Sequence, residues 1–357
     1  MPEPRFLVLR LGSLGDIVHT FPAVAALRES FPTAEIVWLT HPRWKSLVES
    51  SSLASEVRTI ESRELPSLRE AIHSVRQSNW DASIDYQGLW KSAALPFFGG
   101  VKRRIGFSSH TIREFGVPIL YTDRVKPATV HIADQNGELS LRAGAKRRVA
   151  PATLRVSPAD EAVACSQLRS AAIDRYIVLS PGGGWRAKCW PAERFGALCQ
   201  NIRNSLGLRC VVNYGPGEDD LAAAVCDASG DANPLLYNAE LGPLMALLRS
   251  AKCIVGGDTG PLHLAIALGT PAVAIFGPTD PARNGPYPNS PRLQIDAPAG
   301  PVAQVGQDTD PGDGDIVLRA PNSVTSHVRN NKTDPSMLAI TVESVFNAVR
   351  RRIGAIT

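Results

Sequence analysis

Short apolar runs recur along the chain, each closed by glycine or proline and followed by residues at helical spacing. The clearest case is Lys252 to Pro281, KCIVGGDTGPLHLAIALGTPAVAIFGPTDP. Cys253, Ile254 and Val255 form an apolar run with β-branched residues, which predicts a buried strand. Gly256-Gly257-Asp258-Thr259-Gly260 then turns the chain, and Pro261 suits the first turn of a helix, where no backbone donor is missed. Leu262, Ala265, Ile266 and Gly269 repeat at helical spacing, and Ala272 to Phe276 reads as a second buried strand. Such a unit leaves unpaired N–H groups at the helix start, beside the carboxyl ends of the strands, where a diphosphate fits. Thr259 adds a hydroxyl donor there and His263 a switchable one. An ordinary glycine-rich crossover turn carries the same pattern.

The chain opens in the same way. Phe6 to Leu9 is a strand, Gly12-Ser13-Leu14-Gly15-Asp16 a glycine turn, and Ile17, Phe21, Val24 and Leu27 run at near-helical spacing. Pro22 lies inside that run, so the helix kinks there or is established only from about Thr20. The dinucleotide fingerprint G-x-G-x-x-G is absent, which argues against a nicotinamide or flavin cofactor. Asp16 projects from the carboxyl end of the first strand, either as a helix cap or as a functional group. Strands follow at Ile36 to Leu39, Val57 to Ile60 and Ala82 to Tyr86, with a helix near Ser67 to Gln77. Gln87-Gly88-Leu89-Trp90-Lys91-Ser92 is another glycine turn into a helix. The basic segment Lys102-Arg103-Arg104 enters a strand, and Arg113 and His131 fall on loops or helix starts.

From Gly144 to Ser157 the apolar period is lost, which places a domain boundary there. A helix over Pro158 to Ala171 opens a second alternating set. Tyr176 to Leu179 is a strand leading into Ser180-Pro181-Gly182-Gly183-Gly184-Trp185, Pro191 starts a helix to about Leu206, and Arg209 to Tyr214 ends at Gly215-Pro216-Gly217-Glu218. Helices through about Ala228 and over Leu241 to Ser250 lead back to the stretch described first. The fold class is therefore α/β, two Rossmann-like domains facing across a cleft that is the default site. Tyr287 to Asn322 is rich in Pro, Gly, Asp and Asn, with only Asp315 to Arg319 resembling a strand. Its carboxylates Asp308, Asp310, Asp313 and Asp315 invite a metal reading, but no helix or strand frames them and solvated acidic loops are commoner. Val342 to Ile353 closes the chain as an amphipathic helix with Arg350-Arg351-Arg352 at its end.

Composition narrows the function. The chain has 357 residues and a formal net charge of +4, with the basic excess in its first 150 residues. That suits an anionic partner better than nucleic acid, whose binders carry a denser basic stripe, and a merely solvated surface explains it nearly as well. The six cysteines show no metal-ligand spacing and read as reduced thiols of a cytoplasmic protein. No apolar run is long enough to span a membrane, and the start of the chain does not read as a signal peptide.

Several stretches, in this order and spacing, resemble one family: LRLGSLGDIVHTFPAVAALRESFP, DASIDYQGLWKSAAL, RRIGF, KCWPAERF and GGDTGPLHLAIALGTPAVAIFGPTDP. They are similar to the ADP-heptose heptosyltransferases of lipopolysaccharide core assembly, glycosyltransferase family 9, and IDYQGLWKSAAL is most similar to heptosyltransferase I. The resemblance implies the GT-B arrangement. Residues 1–157 would bind the acceptor and residues 158–336 the nucleotide sugar, while 337–357 form a C-terminal helix packing back toward the first domain. It implies inverting transfer of heptose from ADP-heptose to Kdo-lipid A or an inner-core lipopolysaccharide acceptor. Such transfer needs a carboxylate to take the acceptor hydroxyl's proton and a group to stabilise the departing diphosphate.

On this resemblance Asp16 is the base and Lys188 contacts the donor phosphates at the Asp258, Thr259, Gly260 and His263 turn. Glu218 accepts from the ribose hydroxyls, and Ser180 and Gly182 belong to the same donor loop. Ser13, Gly15, Lys91, Arg113 and His131 fall on the acceptor side, where each also reads as an ordinary surface or turn residue. Arg58, Arg63 and Arg69 are further candidates for gripping a lipid acceptor. A lysine with a helix start replaces a metal, so neither a metal nor another cofactor is expected. The expected partners are ADP-heptose and a lipid-linked saccharide at the cytoplasmic face of the inner membrane, met by a peripheral monomer. The alternatives are a family member with another acceptor or nucleotide sugar, or a non-catalytic nucleotide-sugar-binding protein, which would need no base.

Overall fold

A computed structural model of the chain describes residues 3–61, 65–109, 114–287, 314–321, 323–326 and 332–354. Arg63, Arg113, Asp308, Asp310 and Asp313 lie outside them. The chain divides into two compact units, Met1–Arg155 and Val156–Thr357.

In the first unit the order is β1 (Arg5–Leu9), α1 (Leu14–Val18), α2 (Phe21–Ser30), β2 (Glu35–Thr40), α3 (Lys45–Ser50) and β3 (Glu56–Thr59). It continues with α4 (Leu65–Arg76), β4 (Ala82–Asp85), α5 (Trp90–Phe98), β5 (Arg104–Phe107), β6 (Asp123–Val125) and α6 (Ile132–Ala143). The six strands form one parallel sheet in the order β3-β2-β1-β4-β5-β6. Apolar residues on both faces of the central strands explain why they read as near-continuous runs. Leu7 and Leu9 pack with Val37, Leu39 and Leu95 on one side. The strand order reverses between β1 and β4, and in open α/β sheets that reversal is where ligands bind. The break expected around Pro22 is a full one: α1 ends at Val18 and α2 starts at Phe21 with Pro22 in its first turn.

The second unit runs α7 (Pro158–Ser170), β7 (Tyr176–Ser180), α8 (Ala192–Leu206), β8 (Arg209–Asn213), α9 (Asp219–Ala228), β9 (Leu235–Tyr237) and α10 (Leu241–Ser250). There follow β10 (Cys253–Gly257), α11 (Gly260–Ala267), β11 (Ala272–Phe276), α12 (Pro281–Asn284), β12 (Ile316–Arg319), α13 (Pro335–Leu338) and α14 (Val342–Gly354). Its parallel sheet has the order β12-β11-β10-β7-β8-β9 and reverses between β7 and β10. Val345, Ala348 and Val349 of α14 are buried with Phe195, Leu198 and Ile275 in the core of this unit.

Two features differ from the sequence expectations. Gly256 and Gly257, expected in the turn, are the last residues of β10, paired with Ser180 and Ile275. A Cβ on Gly256 would lie 3.1 Å from the Ser180 carbonyl oxygen, and one on Gly257 3.0 Å from that of Lys188. Glycine therefore marks close approach here, not only a turn. The short strands β6 and β9, at the sheet edges, were not foreseen. Among the described residues no helix is long and apolar enough to cross a membrane.

Candidate active site

In the first unit the loop after β1 carries Asp16 on the third residue of α1. Ser13 donates to Asp16 Oδ2 from both its backbone N and its hydroxyl, each at 3.2 Å. The carboxylate thus caps α1, as one reading of the sequence had it. It also stays 44% exposed, and its other oxygen lies 2.8 Å from Arg10 Nη2. Capping and availability to a ligand coexist, because cap and ion pair use different oxygens. Arg10 is itself buried and also donates from Nη1 to the Tyr86 carbonyl, which anchors it to the neighbouring strand end. Gly15, the residue before it in α1, is buried.

The turn is held from β4. Gln87 Oε1 accepts from the backbone N of Leu11 and Gly12 at 3.0 and 3.3 Å. Asp85 in turn fixes the Gln87 loop: its Oδ1 accepts from Gln87 N and Gly88 N, and its Oδ2 from Ser92 Oγ and Tyr121 OH. Burial without a cation nearby pushes the Asp85 carboxyl above the ordinary range, although its four donors pull the other way. Burial and the Asp85 charge together push the Tyr121 hydroxyl far up.

His131 is the N-cap of α6, where its Nδ1 accepts from Ala133 N. Its ring meets that of His19 edge-on, with centroids 5.4 Å apart, and His19 is the C-cap of α1. Asn136 Nδ2 donates to the His19 carbonyl. The structure therefore brings His131 to the end of the short helix that carries Asp16 in its first turn. Lys91 stands exposed in the first turn of α5.

In the second unit the donor candidates do gather. Lys188 donates from Nζ to the Asp258 carbonyl oxygen, and the same ammonium lies 3.5 Å from Asp258 Oδ2. His263 Nε2 is 2.9 Å from Asp258 Oδ1. Burial alone would raise the Asp258 carboxyl, but the hydrogen bond to His263 and the charges of Lys188 and His263 hold it well below the usual carboxylate range; Asn284 adds a further hydrogen bond. Asp258 is thus an ionised hub, and His263 donates to it. A carboxylate has no proton to offer an anion, so Asp258 orients Lys188 and His263 rather than facing a phosphate itself.

Thr259 is the N-cap of α11, and its Oγ1 is buried with no hydrogen-bond partner among the described residues. Thr279 Oγ1, on the loop after β11, is in the same state. Buried hydroxyls are almost always satisfied, and that of Thr259 stands at a helix start whose first amides lack intrahelical acceptors. An anion fits this donor set. Beside it, a Cβ on Gly182 would collide with the Glu218 carboxylate, so the glycine admits that side chain to the loop after β7. Glu218 Oε2 accepts from Gly215 N at 2.9 Å. Ser180 is buried at the end of β7, and Trp185 places its ring centroid 6.0 Å from Lys188 Nζ. Arg10, Asp85, Gln87, His19 and Asn284, which touch the candidate residues or hold their loops, were not singled out by the sequence reading. Among the described residues no group of three or more His, Cys, Asp or Glu is placed to hold a metal ion.

Residues 68–299 match the family model of glycosyltransferase family 9 (heptosyltransferase). The chain is 28% identical over 317 residues to lipopolysaccharide heptosyltransferase 1 of Escherichia coli O18:K1:H7, covering 84% of this chain and 94% of the relative. A family 9 glycosyltransferase from Veillonella parvula superposes with a TM-score of 0.80 at 20% identity, covering 99% of this chain and 98% of that one. The E. coli heptosyltransferase WaaC, solved with ADP, superposes with a TM-score of 0.69 at 23% identity, covering 99% of this chain and 100% of that one. The match runs from α4 past β11 and includes Lys188, Glu218 and the Asp258–His263 turn, so the chain is a glycosyltransferase and belongs to family 9, the heptosyltransferases.

Proposed function

We propose that the protein transfers heptose from ADP-heptose to a Kdo-lipid A or inner-core lipopolysaccharide acceptor, with inversion at the anomeric carbon. The observation that carries this is the donor set at α11, where an oriented lysine, a helix start and an orphaned buried hydroxyl meet, with the Glu218 carboxylate packed against Gly182 after β7. That set has the chemistry a nucleoside diphosphate requires. Lys188 and the first amides of α11 bind the pyrophosphate and take up charge as the bond to the anomeric carbon breaks. Glu218 accepts from the ribose hydroxyls, and Ser180 and Gly182 border that position. His263, held by Asp258, adds a donor.

Asp16 takes the proton of the acceptor hydroxyl as it attacks the anomeric carbon. Arg10 and Ser13 aim the carboxylate, and the Gln87 bridge keeps its loop in place. Lys91, Arg113 and His131 serve the anionic acceptor. With a lysine and a helix start at the leaving group, transfer proceeds without a metal or other cofactor. The protein acts as a monomer, peripheral to the cytoplasmic face of the inner membrane.

The deciding experiment pairs ADP-heptose and other nucleotide sugars with Kdo-lipid A and truncated core acceptors, with products read by mass spectrometry. A heptose-sized mass gain on Kdo-lipid A with ADP-heptose alone is the expected outcome. Transfer from a different nucleotide sugar would overturn the donor assignment, and binding of ADP-heptose without any product would leave a binding protein.

A further inference from the structure

Large apolar side chains are exposed singly on most proteins, but five here come from two adjoining segments of the first unit. Trp90, Phe97 and Phe98 belong to α5, and Phe115 and Ile119 to the stretch just before and within the 3₁₀ turn Val117–Leu120. The segments are joined beneath: Val117, Leu120 and Tyr121 pack on Ala93. They are joined at the rim as well. Trp90 Nε1 donates to the Phe115 carbonyl at 3.2 Å, while Arg104 lies 5.3 Å from the Phe97 ring and donates from Nε to the Leu120 carbonyl. The inner residues of both segments are thus buried while the outer ones are turned to solvent, Phe115 at 98% and Ile119 at 70% exposure.

The border of this face is basic. Lys102 is exposed beside it, and Arg76 donates to the Phe98 carbonyl. Arg104 spends its hydrogen bonds on the carbonyls of Val101, Lys102 and Leu120, so its charge is not cancelled by a bonded carboxylate. Lys91 follows Trp90 directly. On the other side of the balance, Arg103 is paired with Asp123, and Glu114 accepts from Trp90 N. Among the described residues, cations outnumber carboxylates around the apolar side chains.

We propose that this face docks on a lipid bilayer with anionic headgroups. Aromatic and aliphatic side chains that protrude enter the headgroup boundary without needing a matching pocket, and cations at their border meet the negative leaflet. A groove-binding protein partner would instead be met by a concave apolar surface, and side chains as exposed as Phe115 and Ile119 line none. The assignment uses the proposed acceptor only in that a lipid-linked saccharide lies at such a surface; it does not depend on the donor chemistry.

Flotation with vesicles separates the outcomes. The full chain is expected to float with phosphatidylethanolamine–phosphatidylglycerol vesicles, less so as salt rises, and weakly with phosphatidylcholine alone. The double variant Phe115→Ser/Ile119→Ser should lower the partition coefficient about tenfold, given the apolar area withdrawn, and Lys102→Glu should weaken binding to the anionic vesicles only. ADP affinity and thermal midpoint should stay unchanged in both variants. Absence of flotation by the parent protein, or flotation of the double variant at parental levels, would overturn the proposal. So would a concentration-dependent dimer in sedimentation velocity that the double variant dissolves, since a second copy would then cover the face. ADP titration reads the donor half separately, so failure of one reading leaves the other measurable.

Discussion

Asp258 keeps its charge in a buried setting because His263, Lys188 and Asn284 all turn donors toward it, whereas Asp85 has four neutral donors and no cation. The two therefore bend the stability curve in opposite directions. Asp258 sits below its unfolded value, so the stability it contributes is present above about pH 3.9 and is lost as pH falls further. Asp85 sits above its unfolded value, so its contribution is greatest below about pH 3.9 and declines as pH rises through its folded value. Urea melts at a series of acid pH values should show a shallower loss below pH 4 in Asp258→Asn than in the parent. Asp85→Ala should cost about 1–3 kcal/mol for each donor it orphans, and Asp85→Asn far less, since Asn still accepts from the two amides. At Asp16 the expectation is kinetic: Asp16→Asn should lower transfer about 10²–10⁴-fold while ADP affinity holds, and near-normal turnover would leave it a cap alone. Asp16 and the Asp258–His263 turn were legible as residue types at strand ends, while Lys188 entered only through the family resemblance. Asp85 was not, because a carboxylate inside an apolar run announces burial only when Tyr121 arrives from 36 residues away.

The elements were legible in proportion to their burial and punctuation. β1, β7, β10 and β11 are runs of apolar residues closed by glycine or proline, a pattern that a strand buried on both faces dictates. β6 and β9, three residues each at the sheet edges, include exposed positions and carry no run that stands above a loop. The glycines were legible as turns but not as close approaches. Gly106 lies in β5 directly beneath the Tyr121 ring, and a Cβ there would overlap it. Gly106→Ala should therefore cost about 1–3 kcal/mol, as overpacking does. It should also displace the hydroxyl from Asp85, and a fall in turnover larger than the loss of folded protein would show that the displacement reaches the Asp16 loop. Gly182→Ala is the parallel case in the second unit: it should push the Glu218 carboxylate aside and weaken ADP binding without a comparable loss of stability, as measured by calorimetric titration against a melt.

At the scale of the whole chain the two units divide the chemistry, and that division is itself measurable. Every group proposed to hold the nucleotide, from Ser180 to His263, belongs to Val156–Thr357, and the proposed base belongs to Met1–Arg155. A ligand that binds only the folded second unit stabilises that unit by about 2.7 kcal/mol at a hundredfold excess over its dissociation constant. ADP should therefore shift the unfolding transition of the second unit, and where the units melt separately the first transition should stay in place. Asp16→Asn should leave this shift intact, whereas Lys188→Ala should reduce it, because the ammonium that meets the pyrophosphate is gone. Turnover should behave differently from binding. If both residues act in one transition state, Asp16→Asn with Lys188→Ala should lose less than the product of the single losses, as groups that work together do. Fully multiplicative losses, with an ADP shift equally sensitive to Asp16, would place both residues outside a shared reaction centre.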